Sequence, residues 1–65
     1  MVAQMRYTSS AVRDGRLWRV QCDQHPSAMS LVTRLADAAE HQREAIAFVA
    51  QVPPEQFEVE VHAVR

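Results

Sequence analysis

Four side chains in this sequence could ligate a metal or act as a nucleophile with its base: Cys22, His25, His41 and His62. Cys22 and His25 stand in a C-x-x-H spacing, half of a structural zinc motif. A closed zinc site needs four ligands converging tetrahedrally. The other two histidines fall on a helix and a distant strand, at positions expected to face water. The half-motif therefore reads as a small buried thiol at a strand end accompanied by surface histidines. A cysteine nucleophile would further need a paired base and an oxyanion site inside a pocket. Gly15 is the only glycine, and a hairpin turn claims it, so no glycine-rich loop remains to shape one. No catalytic, cofactor-binding or metal-binding residue is assigned, and the chain is not expected to be an enzyme. Glu55, Glu58 and Glu60 are either a negative patch for a basic partner or a solvated strand face. Trp18 is expected in the core rather than as an exposed hot spot.

The elements that position these residues begin with a hairpin. Residues 6–12 and 17–22 are strand-like runs flanking Arg13-Asp14-Gly15-Arg16. Asp-Gly as a two-residue loop predicts a type I′ turn, which needs φ > 0 at both central positions. Arg13 would then face Arg16, Val12 Leu17, Ala11 Trp18, Ser9 Val20 and Tyr7 Cys22. Period-2 alternation puts Tyr7, Ser9, Ala11, Trp18, Val20 and Cys22 on one face, the expected core. Thr8, Ser10, Arg19 and Gln21 take the other face, and with Glu58 and Glu60 they make it mostly polar.

Pro26 makes residues 23–27 a loop, and residues 28–32 are short and apolar enough for a third strand. A helix is predicted over 34–50. The positions 35, 38/39, 42, 45/46 and 49 trace one stripe, interrupted only by the polar Gln42. Thr33 is the nearest N-cap candidate. Six alanines between Ala36 and Ala50 favour helix and permit close approach to a sheet. Pro53 and Pro54 end it. From Phe57 to Val64 apolar residues alternate with Glu58, Glu60 and His62, which predicts a half-buried last strand. The fold class is α+β, a small β-β-β-α-β domain with a mixed sheet and one helix on one face. It spans residues 1–65 as one unit, with a structured core of about 5–64.

A chain of 65 residues is one domain that buries only about 60% of its unfolded surface. Disulfides, a metal or a second copy usually supplement so thin a core. The single cysteine cannot form an intrachain bridge, so self-association is the expected supplement. The seven basic residues are all Arg, scattered among eight acidic ones, for a net charge of -1. Nucleic-acid binding normally needs a one-sided basic face, so none is expected. The longest apolar run, residues 45–50, is far short of the ~20 residues that span a bilayer. The first six residues lack the apolar stretch of a secretory signal, so a cytoplasmic location is expected.

The run Tyr7-Thr8, Asp14-Gly15, Trp18, the Pro26 loop, Leu35 with Ala38, and Arg43-Glu44-Ala45-Ile46 resembles the HicB-like antitoxin family, in particular its short single-domain actinobacterial members. Val49-Ala50-Gln51-Val52-Pro53 followed by Phe57-x-Val59-x-Val61 is similar to the end of those members. Ser27 stands where the family's corner usually has glycine, and Arg34 where a Thr cap is common. The resemblance implies a partial ribonuclease-H-like fold without nuclease carboxylates, usually dimeric. It also implies neutralisation of a small, basic, mRNA-cleaving toxin by protein–protein contact. Longer relatives add a DNA-binding module after the last strand; with the sequence running from that strand to Arg65, operator binding is not expected. The alternative is an orphan structural or ligand- or metal-binding domain. A four-stranded sheet under one helix leaves two edges uncovered, so a homodimer through an edge strand, residues 28–32, is expected.

Overall fold

The computed structural model describes residues 5–64; Met1, Val2, Ala3, Gln4 and Arg65 lie outside the described residues. The strands are β1 (Met5–Asp14), β2 (Leu17–Cys22), β3 (Met29–Val32) and β4 (Phe57–Val64), with helix α1 (Ala38–Ala50) between the last two. They form one sheet in the order β3-β2-β1-β4. β1, β2 and β3 are an antiparallel meander, and β4 returns parallel to β1 after the α1 crossover. The expected β-β-β-α-β arrangement is present, with the third strand starting one residue later than the sequence suggested.

The hairpin turns one residue later than expected. Asp14 pairs with Leu17, so Gly15 and Arg16 form the loop. Gly15 has φ 63, and Gln51 is the only non-glycine residue with positive φ among the described residues. A positive φ at the first central position alone is the type II′ pattern, which also matches the twist of the flanking strands. It spares Asp14 the left-handed conformation, which glycine adopts more readily than any residue with a side chain. Every cross-strand partner shifts by two residues (Ala11 faces Val20, Ser9 faces Cys22), so each side chain keeps its expected face.

Tyr7, Ser9, Ala11, Val20 and Cys22 are buried under α1, and Trp18 is half-buried. Ile46 and Phe57 close one end of the core against Tyr7, Cys22 and Ala28. Ala38 closes the other against Ala11, Val20 and Val32. Tyr7 sits edge-on to Phe57 at 5.2 Å and to His25 at 5.4 Å between ring centroids, a favoured aromatic geometry.

The helix begins later than the stripe implied. Leu35–Asp37 is a 3-10 turn, closed by the Asp37 amide donating to Arg34 O at 3.0 Å. Thr33 is not a cap; Arg34 occupies that position without a side-chain bond, because the turn's own bond satisfies the amide that a cap would take. Leu35 therefore leaves the stripe and is 38% exposed. At the far end Gln51 adopts the left-handed conformation, φ 56 and ψ 47, and its amide and that of Val52 both reach Ala47 O. Pro53 and the 3-10 turn Pro54–Gln56 then lead into β4.

Gln42, the interruption in the stripe, is wholly buried. Its Oε1 accepts from Ser9 Oγ at 2.7 Å. Its Nε2 reaches Ser30 Oγ at 3.0 Å, Val20 O at 3.1 Å and Ala28 O at 3.2 Å. One amide thus ties α1 to β1, β2 and β3. Among the described residues no buried side-chain polar atom lacks a partner.

Candidate interaction surface

The helix covers one face of the sheet, and among the described residues nothing covers the other. Partner positions place Leu31, Arg19, Val12 and Val64 side by side in one row across all four strands of that open face. The next row holds Met29, Gln21, Ser10 and His62, and beyond it lie Thr8 with Glu60 and Arg6 with Glu58. Each row spans about 15 Å, three interstrand spacings. Of the seven large apolar side chains left exposed among the described residues, four lie here: Leu31 (59%), Met29 (49%), Val64 (48%) and Val12 (43%). The face is thus less polar than the sequence pattern implies, because Val12 and Val64 sit at strand ends and β3 is too short to show alternation. Only the register brings them into one row.

Between the apolar flanks lies a shallow concavity of about 360 Å³ lined by Ser10, Val12, Arg19, Gln21 and Asp23. Its polar walls are pre-organised. Asp23 accepts from Thr8 Oγ1 at 2.8 Å and from Ser10 Oγ at 2.9 Å, and Gln21 Nε2 donates to Pro26 O at 2.8 Å. The bonds from Thr8 and then Ser10 hold the Asp23 carboxyl below the 3.8 of an unperturbed aspartate, so it is ionised at neutral pH. Where β2 ends, the Gln24 side chain continues the ladder: its Oε1 accepts from the Thr8 amide and its Nε2 donates to Thr8 Oγ1, both at 3.0 Å.

The face carries the guanidinium groups of Arg6 and Arg19 against the carboxylates of Asp14, Asp23, Glu58 and Glu60. Arg6 reaches Glu58 at 3.4 Å and Glu60 at 3.7 Å, and Arg19 reaches Asp14 at 3.4 Å. Such exposed pairs contribute about 0–1 kcal/mol each, so their effect is on the sign of the surface, which is acidic. Glu55, grouped with Glu58 and Glu60 in the sequence, lies ahead of β4 in the turn Pro54–Gln56. Asp23 stands nearer the concavity than Glu55 and was missed, because its place depends on where β2 leaves the sheet.

The potential ligand set does not converge. Cys22 is buried and 3.6 Å from Gln24 Oε1, His25 packs on Tyr7, and His41 is exposed on α1. His62 lies 3.8 Å from Glu60 on β4. Among the described residues no group of three or more His, Cys, Asp or Glu side chains is placed to hold a metal ion. Trp18, half-buried, is overlain by the Arg13 guanidinium at 5.2 Å. Among the described residues no helix is long and apolar enough to cross a membrane. Comparison with models of known protein families, with curated proteins and with solved structures finds no match to this chain.

Proposed function

We propose that this chain is a non-catalytic protein-binding module of HicB-like antitoxin type, which neutralises a small, basic, mRNA-cleaving toxin by covering it with the open sheet face. The observation that carries the reading is the row of Leu31, Val12 and Val64, exposed on the sheet face away from α1 beside an excess of carboxylates. Apolar side chains supply the area that stabilises a complex, while a charge of one sign selects a basic partner and speeds encounter. The concavity between them is lined by Ser10 and Asp23, which pair with each other, and by Gln21, held on Pro26 O, a shape suited to seating one side chain of a protein. The reading carries a cytoplasmic location with it, since a toxin that cleaves messenger RNA acts there, and a lone thiol such as Cys22 stays reduced in that compartment.

Co-expression with the product of any small basic reading frame found next to this chain's own tests the reading. A recovered complex and restored growth of cells expressing that protein are the expected outcomes. Val12→Arg puts a cation and bulk into the middle of the row at a position 43% exposed, so the fold survives it. It should weaken binding at least tenfold, or about 1.4 kcal/mol. Absence of a complex, or a Val12→Arg variant that binds as tightly as the parent, refutes the proposal.

A further inference from the structure

The carboxylates of the open face are matched to cations with one exception. Among the described residues Asp14 pairs with Arg19 at 3.4 Å, and Glu58 and Glu60 share Arg6 at 3.4 and 3.7 Å. Glu60 also has His62 at 3.8 Å. Asp23 makes no salt bridge among these residues. It is held instead by two hydroxyls, Thr8 Oγ1 donating to Oδ2 at 2.8 Å and Ser10 Oγ to Oδ1 at 2.9 Å. A carboxylate offers about four acceptor sites, so each oxygen keeps a lone pair after these bonds. The hydroxyls orient the group and leave its charge unneutralised.

The other groups around the concavity leave the same kind of valence open. Ser10 has spent its proton on Asp23, so its oxygen can only accept. Gln21 spends an N–H on Pro26 O at 2.8 Å, which fixes its amide. The guanidinium of Arg19, whose side chain lines the far end, is drawn to Asp14 at the hairpin turn. What remains is a set of acceptors, one uncompensated negative charge and the half-exposed methyl groups of Val12. An occupant that satisfies all three brings donors, a positive charge and an apolar stem, which describes a long cationic side chain.

We infer that this concavity seats one arginine side chain of the partner protein, its guanidinium on Asp23 and its methylenes against Val12. The inference rests on the reading that a basic protein covers the open face, and it names the residue by which that protein is recognised. Arginine fits better than lysine. Its planar fork donates two N–H bonds to neighbouring acceptors and sheds water more easily than an ammonium does. The place in the face agrees. Ser10 and Gln21 are cross-strand partners on the two central strands, with Leu31 and Met29 on β3 to one side and Val64 on β4 to the other. Binding energy concentrates at such centres, and arginine is among the residues enriched there. The partner's surface is thereby specified: an arginine with apolar side chains about 7 Å to either side, one and a half interstrand spacings.

Amide spectra of the isolated chain, titrated with Nα-acetyl-arginine methylamide at constant ionic strength, read the seat without the partner. Shifts at Ser10, Val12, Gln21 and Asp23 should saturate, with a dissociation constant in the tens of millimolar expected for so small a ligand. The lysine analogue should bind at least threefold more weakly, and the citrulline analogue, which has the shape without the charge, should not saturate. Asp23→Asn, at an exposed position, should weaken the arginine analogue at least fivefold with an unaltered circular dichroism spectrum. Shifts that follow citrulline as closely as arginine, a lysine analogue that binds as tightly, or binding unchanged in Asp23→Asn overturns the proposal. In a complex with the partner, Asp23→Asn should cost at least tenfold in affinity. A complex indifferent to Asp23→Asn overturns the arginine seat and leaves the antitoxin reading standing. A failed co-expression refutes that reading, while the titration still decides whether the concavity takes arginine.

Discussion

Replacing Gln42 with leucine tests the claim that one buried amide ties the helix to three strands. The substitution keeps the volume nearly constant and deletes all four polar contacts. Their losses are unequal. Ala28 O retains the Cys22 amide as a donor, Val20 O belongs to the sheet ladder, and half-buried Ser30 can turn toward water. Ser9 has no such recourse, since it is 0% exposed and Gln42 is the acceptor at 2.7 Å. An orphaned buried hydroxyl costs about 1–3 kcal/mol, and the net value of the lost bonds brings the total to about 2–3 kcal/mol. In a domain of this size that lowers the melting temperature by about 10–20 °C. Ser9→Ala alone leaves Oε1 of Gln42 unsatisfied and should cost a comparable amount. The double variant removes both groups, so its cost should fall short of the sum by about 1–2 kcal/mol. Urea unfolding followed by Trp18 fluorescence measures all three. Additivity within about 0.3 kcal/mol, or a leucine variant as stable as the parent, would refute the account of the network.

Asp23 supplies a pH signature. Its folded-state pKa is depressed by Thr8 and then Ser10, so its contribution to stability is present above 3.8 and is lost as pH falls through the lower folded value. Carbon-detected titration should place the Asp23 midpoint below 3.8 and return it upward in a Thr8→Val, Ser10→Ala variant; a midpoint at or above 3.8 in the parent contradicts the geometry. Gly15→Ala meets no atom within 4 Å of the added methyl, so its cost of about 1 kcal/mol in chemical denaturation should come from positive φ alone. Gln51→Gly relieves the same strain at the helix end and should raise stability by up to about 1 kcal/mol, visible as a higher unfolding midpoint.

Local pattern was enough to name the elements. The alternation from Phe57 to Val64, the Asp14-Gly15 pair and the alanine-rich stripe each state a period or a turn that neighbouring residues enforce. The faces of β1 and β2 were legible even though the turn was placed one residue early, because a two-residue shift in pairing preserves the period-2 pleat. Gln42 stood out in the stripe as the one polar position, which marked it without explaining it. Its partners come from residues 9 to 30, brought together only when three strands lie under the helix.

The candidate interaction surface was the least legible part. Val12, Leu31 and Val64 are far apart in the sequence and share a row because β4 docks parallel to β1 while β3 pairs with β2. Secondary structure follows from interactions a few residues apart, which the chain carries in its own order. The composition of a sheet face and the meaning of a buried amide depend on strand order and register. Those are set by contacts between distant segments, and only the folded chain specifies them.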